Sequence, residues 1–312
     1  MAKDKTKVSI VILTLNNNKL LEEEFNLFKK LDTSGLDIEL IVVNNGSVDA
    51  TGELLKKTNF NNLKFSVISN PINQGFARGN NQGIEQAVKN TPDYVLLLND
   101  DMVFDKDFLK NIVSFANNHP DYGIISPKIY FAKGHEFHKN RYKENEKGKV
   151  IWYAGGTIDW DNIYTSHDRV DKVDNKNREK VREVDVANGA CMLIRNEVLK
   201  KIGGLDENLF LYWEDAEFSV RAKMNGFKVV YYPEVNLWHK VSSAAGGSGS
   251  PSNDYFLIRN RYYFSNKYSK SLRTKFAVFR DTSKLMITGR PWQKLGAFDA
   301  LIGKMGRGSW KK

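Results

Sequence analysis

Residues 94–101 read YVLLLNDD, an apolar run that ends in one amide and two carboxylates. A short apolar run closed by polar residues is typical of a buried strand. The same pattern occurs three times upstream, in VSIVILTLNNN (8–18), IELIVVNNGS (38–47) and LKFSVIS (63–69). Helix-like stretches separate these runs: one from about Lys19 to Leu31, one through Leu55 and one to about Lys89.

Strands that alternate with helices predict an α/β fold with a mostly parallel central sheet flanked by helices. Ligands of such sheets bind beyond the carboxyl ends of the strands. Asn16, Asn44 and the pair Asp100–Asp101 each follow one of the predicted strands. We therefore expect these polar residues to lie together at one rim of the sheet.

The second half of the chain has a less regular pattern. Residues 133–149 and 161–183 carry dense mixed charge and are expected to form loops or a flap. The remaining predictions are a strand over 184–194, helices over 196–202 and 213–225, a strand over 229–232 ending before Pro233, and a flexible stretch over 242–252.

Composition limits the class of protein. Of 312 residues, 41% are hydrophobic, which is enough for one large core or one core with a small appendage. No apolar run approaches the ~20 residues of a membrane-spanning helix, and the first residues lack the apolar stretch of a secretory signal. The single cysteine, Cys191, excludes an intramolecular disulfide, so a cytoplasmic location is expected.

The positive charge is concentrated in the C-terminal tail. Residues 266–312 hold 12 lysines or arginines and two acids, which accounts for the whole net charge of +10. Such a tail predicts an anionic partner, with phospholipid headgroups or nucleic acid as candidates. A helical pattern in this tail fits either a basic amphipathic helix or a helix packed on the body; its apolar positions are Trp292, Leu295, Phe298, Ile302 and Met305.

Acidic or imidazole side chains at three places in the sequence are candidates for metal binding or proton transfer. Two adjacent carboxylates at Asp100–Asp101 repel each other, and a divalent cation would relieve that repulsion; a helix cap or a solvated turn is the alternative. Asp215 stands at a predicted helix start, where it is either a cap or a general base. His239 is a packed residue or, beside Asp101, a further ligand that favours manganese.

Several motifs in order resemble a known family. Five stretches resemble the family-2 glycosyltransferases, especially a rhamnosyltransferase-like branch. They are VSIVILTLNN, ELIVVNNGSVDAT, NPINQGFARGNNQGI, YVLLLNDD and the long stretch from ANGACMLIRNEVL to EVNLWH. The resemblance covers about 7–240 and the YFLIRN stretch at 255–260. It implies a GT-A fold with a helical C-terminal extension. We predict a glycosyltransferase domain over 1–245, divided near residue 130 into nucleotide and acceptor halves, and a linker with a basic helical extension over 246–312.

The resemblance also implies site residues. Asp215 would be the catalytic base, and Asp101 and His239 would hold Mn²⁺ or Mg²⁺. The donor nucleotide would contact Thr14, Asn16, Asn44, Asn73, Arg78, Gly79, Asn99 and Asp100. The acceptor would contact Asn188, Gly189, Trp213 and Glu214. Asn44 stands where many members of the family carry an aspartate that contacts the base, so the base that is recognised stays open. Asn99 replaces the first aspartate of the family's D-x-D pattern, and the match is weaker there.

The implied function is an inverting, metal-dependent transfer of a sugar, with rhamnose as a candidate, from a nucleotide diphosphate to a saccharide or lipid-linked glycan in cell-surface polysaccharide synthesis. A nucleotide-sugar-binding scaffold without catalysis is the alternative. A dehydrogenase is disfavoured because no G-x-G-x-x-G follows the first strand. The tail is expected to contact the inner face of a membrane rather than nucleic acid, and self-association is left open.

Overall fold

The computed structural model describes residues 5–175, 179–241 and 249–311. Its core is a twisted sheet whose first half contains four parallel strands, as the sequence predicts. These strands are β1 (Thr6–Thr14), β2 (Leu36–Asn44), β3 (Lys64–Ser69) and β4 (Tyr94–Asn99). The helices between them are α1 (Asn18–Phe28), α2 (Thr51–Lys57) and α3 (Phe76–Lys89).

The second half of the chain extends the same sheet. Its elements are β5 (Met102–Phe104), α4 (Phe108–Asn117), β6 (Tyr122–Phe131), β7 (Ile151–Tyr153), β8 (Gly156–Asp159), β9 (Tyr164–His167), β10 (Arg182–Glu183), β11 (Cys191–Arg195), α5 (Asn196–Ile202), α6 (Glu214–Met224) and β12 (Lys228–His239). The strand order is β10-β12-β6-β11-β4-β1-β2-β3, with β11 antiparallel to both of its neighbours. The predicted α/β class and mostly parallel sheet are confirmed.

The register aligns the carboxyl ends of the strands. Thr14 of β1 lies beside Asn44 of β2, and Leu13 lies beside Asn99 of β4. The stretches that lead to these ends are mostly apolar, and side chains such as Ile10 and Leu96 have no exposed surface. Burying each of them contributes about 1.5–3 kcal/mol relative to exposure. The sheet therefore presents its polar strand ends together at one rim, as predicted.

Two predicted strands had wrong limits. Only Cys191–Arg195 of the predicted strand 184–194 is extended as one strand, because the Asn188 side chain accepts a hydrogen bond from the Ala190 amide at 2.8 Å and turns the chain there. Strand β12 does not stop before Pro233 but continues to His239. Its pairing with β6 shifts register between Tyr232 and Asn236, so the proline falls in a bulge where no ladder hydrogen bond is lost.

The mixed-charge regions are not only loops. Strand β9 lies inside the predicted region 161–183 and pairs antiparallel with β8, which precedes that region, and β10 joins the edge of the sheet. Residues 176–178 of that region lie outside the described residues. Most of the predicted flexible stretch, residues 242–248, also lies outside them.

Three helices follow: α7 (Pro251–Tyr268), α8 (Leu272–Thr288) and α9 (Pro291–Leu301). Ser250 caps α7 and Ser271 caps α8, each accepting a hydrogen bond from the backbone amide three residues on. The three helices pack against one another. Within the described ranges, no helix combines the length and apolarity needed to cross a membrane.

The predicted helix at 292–305 is shorter than expected and uses two faces. Helix α9 ends at Leu301, and Gly303 follows with a φ of 71°. Trp292 and Leu295 pack on an aromatic cluster with Phe210, whereas Phe298 and Ile302 stay exposed. One side of helix α9 therefore packs on the body of the protein, and the other side presents apolar residues to the outside.

Candidate functional site

The first part of the site is the acidic end of β4. The chain leaves this strand at Asn99–Asp100–Asp101 and enters β5, which pairs antiparallel with β12 so that Met102 lies beside His239. This pairing places Asp101 Oδ1 2.9 Å from His239 Nε2, and both side chains are buried. Two residues that are far apart in the sequence thus come together where the sequence predicts a metal site.

Negative charge accumulates around this pair. Burial raises the pKa of Asp100 to about 7, and the charge of Asp101 adds to the rise, while the Thr14 hydroxyl opposes it. Glu24 of α1 is also buried, and its pKa is raised well above the ordinary value by burial and by Asp100 and Asp101. Neither Glu24 carboxylate oxygen has a hydrogen-bond partner among the described residues. The positive charge of Lys240 acts in the opposite direction at Glu24, but burial and the two aspartates outweigh it.

Sequence reasoning missed Glu24, although a signal was present. Helix α1 buries Leu21, Phe25 and Phe28, and Glu24 falls on this inward face. An acid on the apolar face of an amphipathic helix is rare unless something pairs with it.

The second part of the site is the pair of loops after β1 and β2. Asn16 adopts a φ of 52°, its backbone N–H donates to Ser47 Oγ at 2.9 Å, and its Oδ1 accepts from the Val48 amide at 2.8 Å. Asn44 Oδ1 accepts from the Ser47 amide at 3.0 Å. These two predicted donor residues hold the loops against each other. Their remaining side-chain nitrogens are the groups left for a ligand.

The third part is the segment before α3. Asn45 Nδ2 donates to Asn73 Oδ1 at 3.0 Å, and Asn45 Oδ1 accepts from the Gln74 amide at 3.0 Å. A Cβ at Gly46, whose φ is 83°, would lie 2.6 Å from the Ile72 carbonyl carbon, so only glycine fits. Asn45, which sequence reasoning did not single out, therefore joins the nucleotide-side loops into one rigid surface.

Two predicted donor residues on α3 have different surroundings. Arg78 is exposed in the first turn of the helix. Gly79 is buried against Leu13 of β1, where an added Cβ would overlap the leucine side chain. The structure thus gives Gly79 a role in helix–strand packing, and its contact with a nucleotide stays a prediction.

The second acidic centre begins at a strained turn before α6. Tyr212 and Trp213 both adopt left-handed backbone angles, with φ values of 68° and 76°. Asn260 of α7 donates from Nδ2 to the carbonyl oxygens of Leu211 at 2.9 Å and Tyr212 at 2.8 Å. Left-handed conformations of bulky residues persist only where the surroundings impose them. Helix α7 thus supports the turn that carries Asp215.

Asp215 faces the turn that follows Asn188. Its Oδ2 accepts from the Gly189 amide at 3.3 Å, and its Oδ1 accepts from the Ala216 amide at 2.8 Å. Burial raises the pKa of Asp215, while the nearby His167 ring works in the opposite direction. A carboxylate with a raised pKa and few hydrogen bonds is suited to accept a proton.

The neighbours of Asp215 are buried. Burial raises the pKa of Glu214 well above its usual range, and the charge of Asp215 adds to that rise. Trp213 packs inward on Phe264, with ring centroids 4.8 Å apart, and is 6% exposed. Trp213 can therefore shape an acceptor pocket through the position of its backbone, and a direct contact stays a prediction.

His167 of β9 connects the two acidic centres. Its Nδ1 lies 3.0 Å from the Trp152 carbonyl oxygen, and its Nε2 lies 3.1 Å from Asn188 Nδ2. Burial lowers the pKa of His167, so the neutral ring donates from Nδ1 and accepts at Nε2. The Trp152 ring contacts both His167 and His239, with centroids 5.0 and 4.4 Å away.

These contacts connect the Asp101–His239 pair, through Trp152 and His167, to the turn that faces Asp215. The Asn99 amide also donates to the Ala190 oxygen at 3.0 Å, which ties the end of β4 to the turn that faces Asp215. Sequence reasoning missed His167 because it lies in a mixed-charge region. The aromatic Tyr164 and the β-branched Ile163 and Thr165 were the available sign of a strand.

A family model provides the decisive comparison. The model described as "Glycosyl transferase family 2" matches residues 9–203, which is more than half of the chain. The chain belongs to glycosyl transferase family 2. A second model, "Glycosyl transferase family group 2", matches residues 160–303 and so reaches into the C-terminal helices.

Two curated relatives of this family 2 glycosyltransferase make glycans. This chain is 28% identical over 267 residues to the low-salt glycan biosynthesis hexosyltransferase Agl10 of Haloferax volcanii, and the match covers 85% of this chain and 78% of that protein. It is 26% identical over 211 residues to the poly-beta-1,6-N-acetyl-D-glucosamine synthase of Staphylococcus aureus. That match covers 67% of this chain but only 44% of the synthase.

Among solved structures, the mannosyltransferase PcManGT from Pyrobaculum calidifontis, in complex with GDP-Man and Mn²⁺, is similar with a TM-score of 0.57 and 17% identity. The similarity covers 96% of this chain and 75% of that one. The predicted GT-A fold and the assignment as a glycosyltransferase are thus confirmed.

Proposed function

We propose that this family 2 enzyme is an inverting, metal-dependent transferase that moves a hexose or deoxyhexose from a nucleotide diphosphate to a hydroxyl of a growing glycan. The observation that carries the proposal is the chain of contacts that runs from the Asp101–His239 pair through Trp152 and His167 to the turn that binds Asp215. Inverting transfer needs a leaving-group site and a base on opposite faces of the sugar, and we assign the first role to Asp101–His239 and the second to Asp215.

The residues at the end of β4 fit a divalent cation. Ligand atoms about 2.1 Å from one ion in an octahedral arrangement lie about 3 Å apart. The 2.9 Å between Asp101 Oδ1 and His239 Nε2 is compatible with such a pair. The excess of buried carboxylates at Glu24 and Asp100 favours a cation in the same place.

The protein would supply only part of the coordination. Among the described residues, no three His, Cys, Asp or Glu side chains converge closely enough to form a metal site by themselves. The diphosphate of the donor and water would fill the other positions, which agrees with an ion that binds together with its substrate. A bound Mn²⁺ or Mg²⁺ would supply charge neutralisation for the departing diphosphate.

The residues of the chain perform the other steps. Asp215 takes the proton from the acceptor hydroxyl as that oxygen forms a bond to the anomeric carbon. The bond from the anomeric carbon to the diphosphate oxygen breaks on the opposite face, so configuration inverts in one displacement. His167 keeps Asn188 in place, and the adjoining Gly189 amide orients Asp215 toward the acceptor. Correct positioning of the two reactants accounts for much of the rate.

The donor would lie along the joined loops at the rim. Thr14, Asn16 and Asn73 lie on the nucleotide side, with Asn99 and Asp100 toward the diphosphate and Arg78 exposed nearby. Asn44 presents an amide to the base, where a carboxylate could only accept hydrogen bonds. The neighbour with GDP-Man and the hexosyltransferase relative support a nucleotide-activated hexose as donor. Rhamnose is one candidate, and Asn188, Gly189 and Glu214 would face the acceptor glycan.

Donor hydrolysis in the absence of acceptor tests the proposal. Purified protein is screened against UDP-, GDP- and dTDP-sugars with Mn²⁺, with Mg²⁺ and with EDTA. We expect one nucleotide class to be hydrolysed only with metal. The double variant Asp101→Asn/His239→Ala should lose the metal dependence together with the activity. Hydrolysis that is unchanged by EDTA would refute the metal assignment, and binding without any turnover would favour a non-catalytic scaffold. The cytoplasmic location stays a prediction.

A further inference from the structure

Helix α8 has four large apolar side chains on its outside. The residues it buries are Thr274, Val278 and Thr282. Leu272, Phe276 and Ile287 are 82%, 67% and 70% exposed, and Phe279 is also exposed. These four residues follow helical spacing and form a single outward stripe. A packed surface helix normally has the reverse arrangement, so this stripe is a surface that something else covers.

Basic residues flank the stripe. Arg273, Arg280 and Lys284 lie on one side of it in the helical projection, and Lys275 lies on the other. Asp281 is the only acid of the helix, and its carboxylate lies 3.5 Å from Arg261 and 3.6 Å from Arg280. The stripe and its border are therefore apolar and positively charged.

Helix α9 adds a second outward apolar pair. Phe298 and Ile302 are 48% and 57% exposed, with Lys294 exposed on the same side of the helix. Helix α9 packs against α8 and α7. We call the exposed residues Leu272, Phe276, Phe279, Ile287, Phe298 and Ile302, with the basic residues beside them, the α8–α9 face.

We propose that the α8–α9 face docks on the surface of an anionic phospholipid bilayer. Apolar side chains between lysines and arginines fit the boundary between acyl chains and negative headgroups. A second copy of the chain fits poorly because it would bring two basic borders together. Nucleic acid would leave the aliphatic residues Leu272 and Ile287 without a suitable contact.

Helix α7 connects the α8–α9 face to the turn that precedes Asp215. Helix α7, which packs on both α8 and α9, holds the turn before Asp215 through Asn260. Arg290, just before α9, also pairs with Asp254 of α7. Docking would therefore hold the acceptor side of the enzyme at the membrane, although the proposal does not depend on the proposed reaction.

Vesicle flotation tests the proposal with the full chain. Wild type should float with mixed phosphatidylcholine–phosphatidylglycerol vesicles and much less with pure phosphatidylcholine vesicles. Phe276→Ser/Phe279→Ser should lower the bound fraction about tenfold, because two exposed rings no longer enter the interface. Arg280→Glu/Lys284→Glu should abolish the preference for phosphatidylglycerol.

Matched controls isolate the face. Phe137 is another exposed phenylalanine, and Lys56 and Lys57 are exposed on α2. Phe137→Ser and Lys56→Glu/Lys57→Glu should float like wild type, and all variants should melt within a few degrees of it. Equal flotation of the α8 variants and wild type would overturn the proposal. Two other results would also overturn it. One is a wild-type protein that binds no vesicles but forms a dimer that Phe276→Ser/Phe279→Ser dissociates. The other is a wild-type protein that binds DNA and not vesicles.

Discussion

Replacing Asp215 by asparagine separates catalysis from folding. Asparagine keeps the size of the side chain, and its Oδ1 can still accept the hydrogen bond that the Ala216 amide donates to Asp215 Oδ1 at 2.8 Å. It cannot remove a proton from an acceptor hydroxyl at neutral pH. Loss of a general base typically lowers the rate 10²–10⁴-fold. This corresponds to about 3–5 kcal/mol of transition-state stabilisation.

The effect on stability should be small and of either sign. In wild type, Asp215 Oδ2 accepts a hydrogen bond from the Gly189 amide at 3.3 Å. The NH₂ group that replaces Oδ2 cannot accept it, and this loss costs about 1 kcal/mol of stability. Burial raises the pKa of Asp215, so the charged carboxylate is unfavourable in the folded state, and removing the charge offsets that loss. We therefore expect a variant that melts near the wild-type temperature, binds nucleoside diphosphate and is nearly inactive.

The assay compares kcat, nucleotide affinity by calorimetry and the melting temperature for wild type and Asp215→Asn. Asp37→Asn is the matched control, since Asp37 lies at the opposite end of the strands and forms an ion pair with Lys64 at 3.2 Å. A variant with wild-type kcat would refute the assignment of the base. A variant that melts far below wild type would refute the account of the buried charge.

Three further predictions follow from the same contacts. The kcat should fall as pH decreases through a pKa above 3.8, because burial raises the pKa of Asp215 and only the deprotonated form accepts a proton; a pH profile with its acid limb at or below 3.8 would contradict this. His167→Ala should lower kcat at least tenfold with little change in nucleoside diphosphate affinity, because the Asn188 turn loses its support, and equal losses in both would indicate general misfolding. Asn260→Leu should lower the free energy of unfolding by about 1–3 kcal/mol, because two carbonyl groups lose their donor; urea titration measures this, and an unchanged midpoint would contradict it.

The nucleotide half of the fold was predictable because its signals are local. Apolar runs that end in Asn16, Asn44 and Asp100 alternate with helical stretches, and parallel pairing then places the strand ends together. The link between Asp101 and His239 came from the family resemblance. The structure explains it by the pairing of β5 with β12, and β5 has only three residues and gave no signal of its own.

The acceptor half was less predictable because its contacts are non-local. His167 acquires its partners only when the β8–β9 hairpin folds over Trp152 and Asn188. Asn260 bonds to a turn about 50 positions earlier, and no periodicity reports such a contact. Pro233 misled the prediction because a proline usually ends a strand, and the bulge that accommodates it depends on pairing with β6.

The support that Asn260 gives to the left-handed turn has a consequence for the order in which the enzyme matures. A ribosome would finish the whole sheet, with Asp101, His239 and Asp215 present, before α7 emerged. Until then the turn would lack the two Asn260 hydrogen bonds that support the costly backbone angles of Tyr212 and Trp213. We therefore expect a nascent chain to be unable to consume an activated sugar until α7 has emerged and docked on this turn.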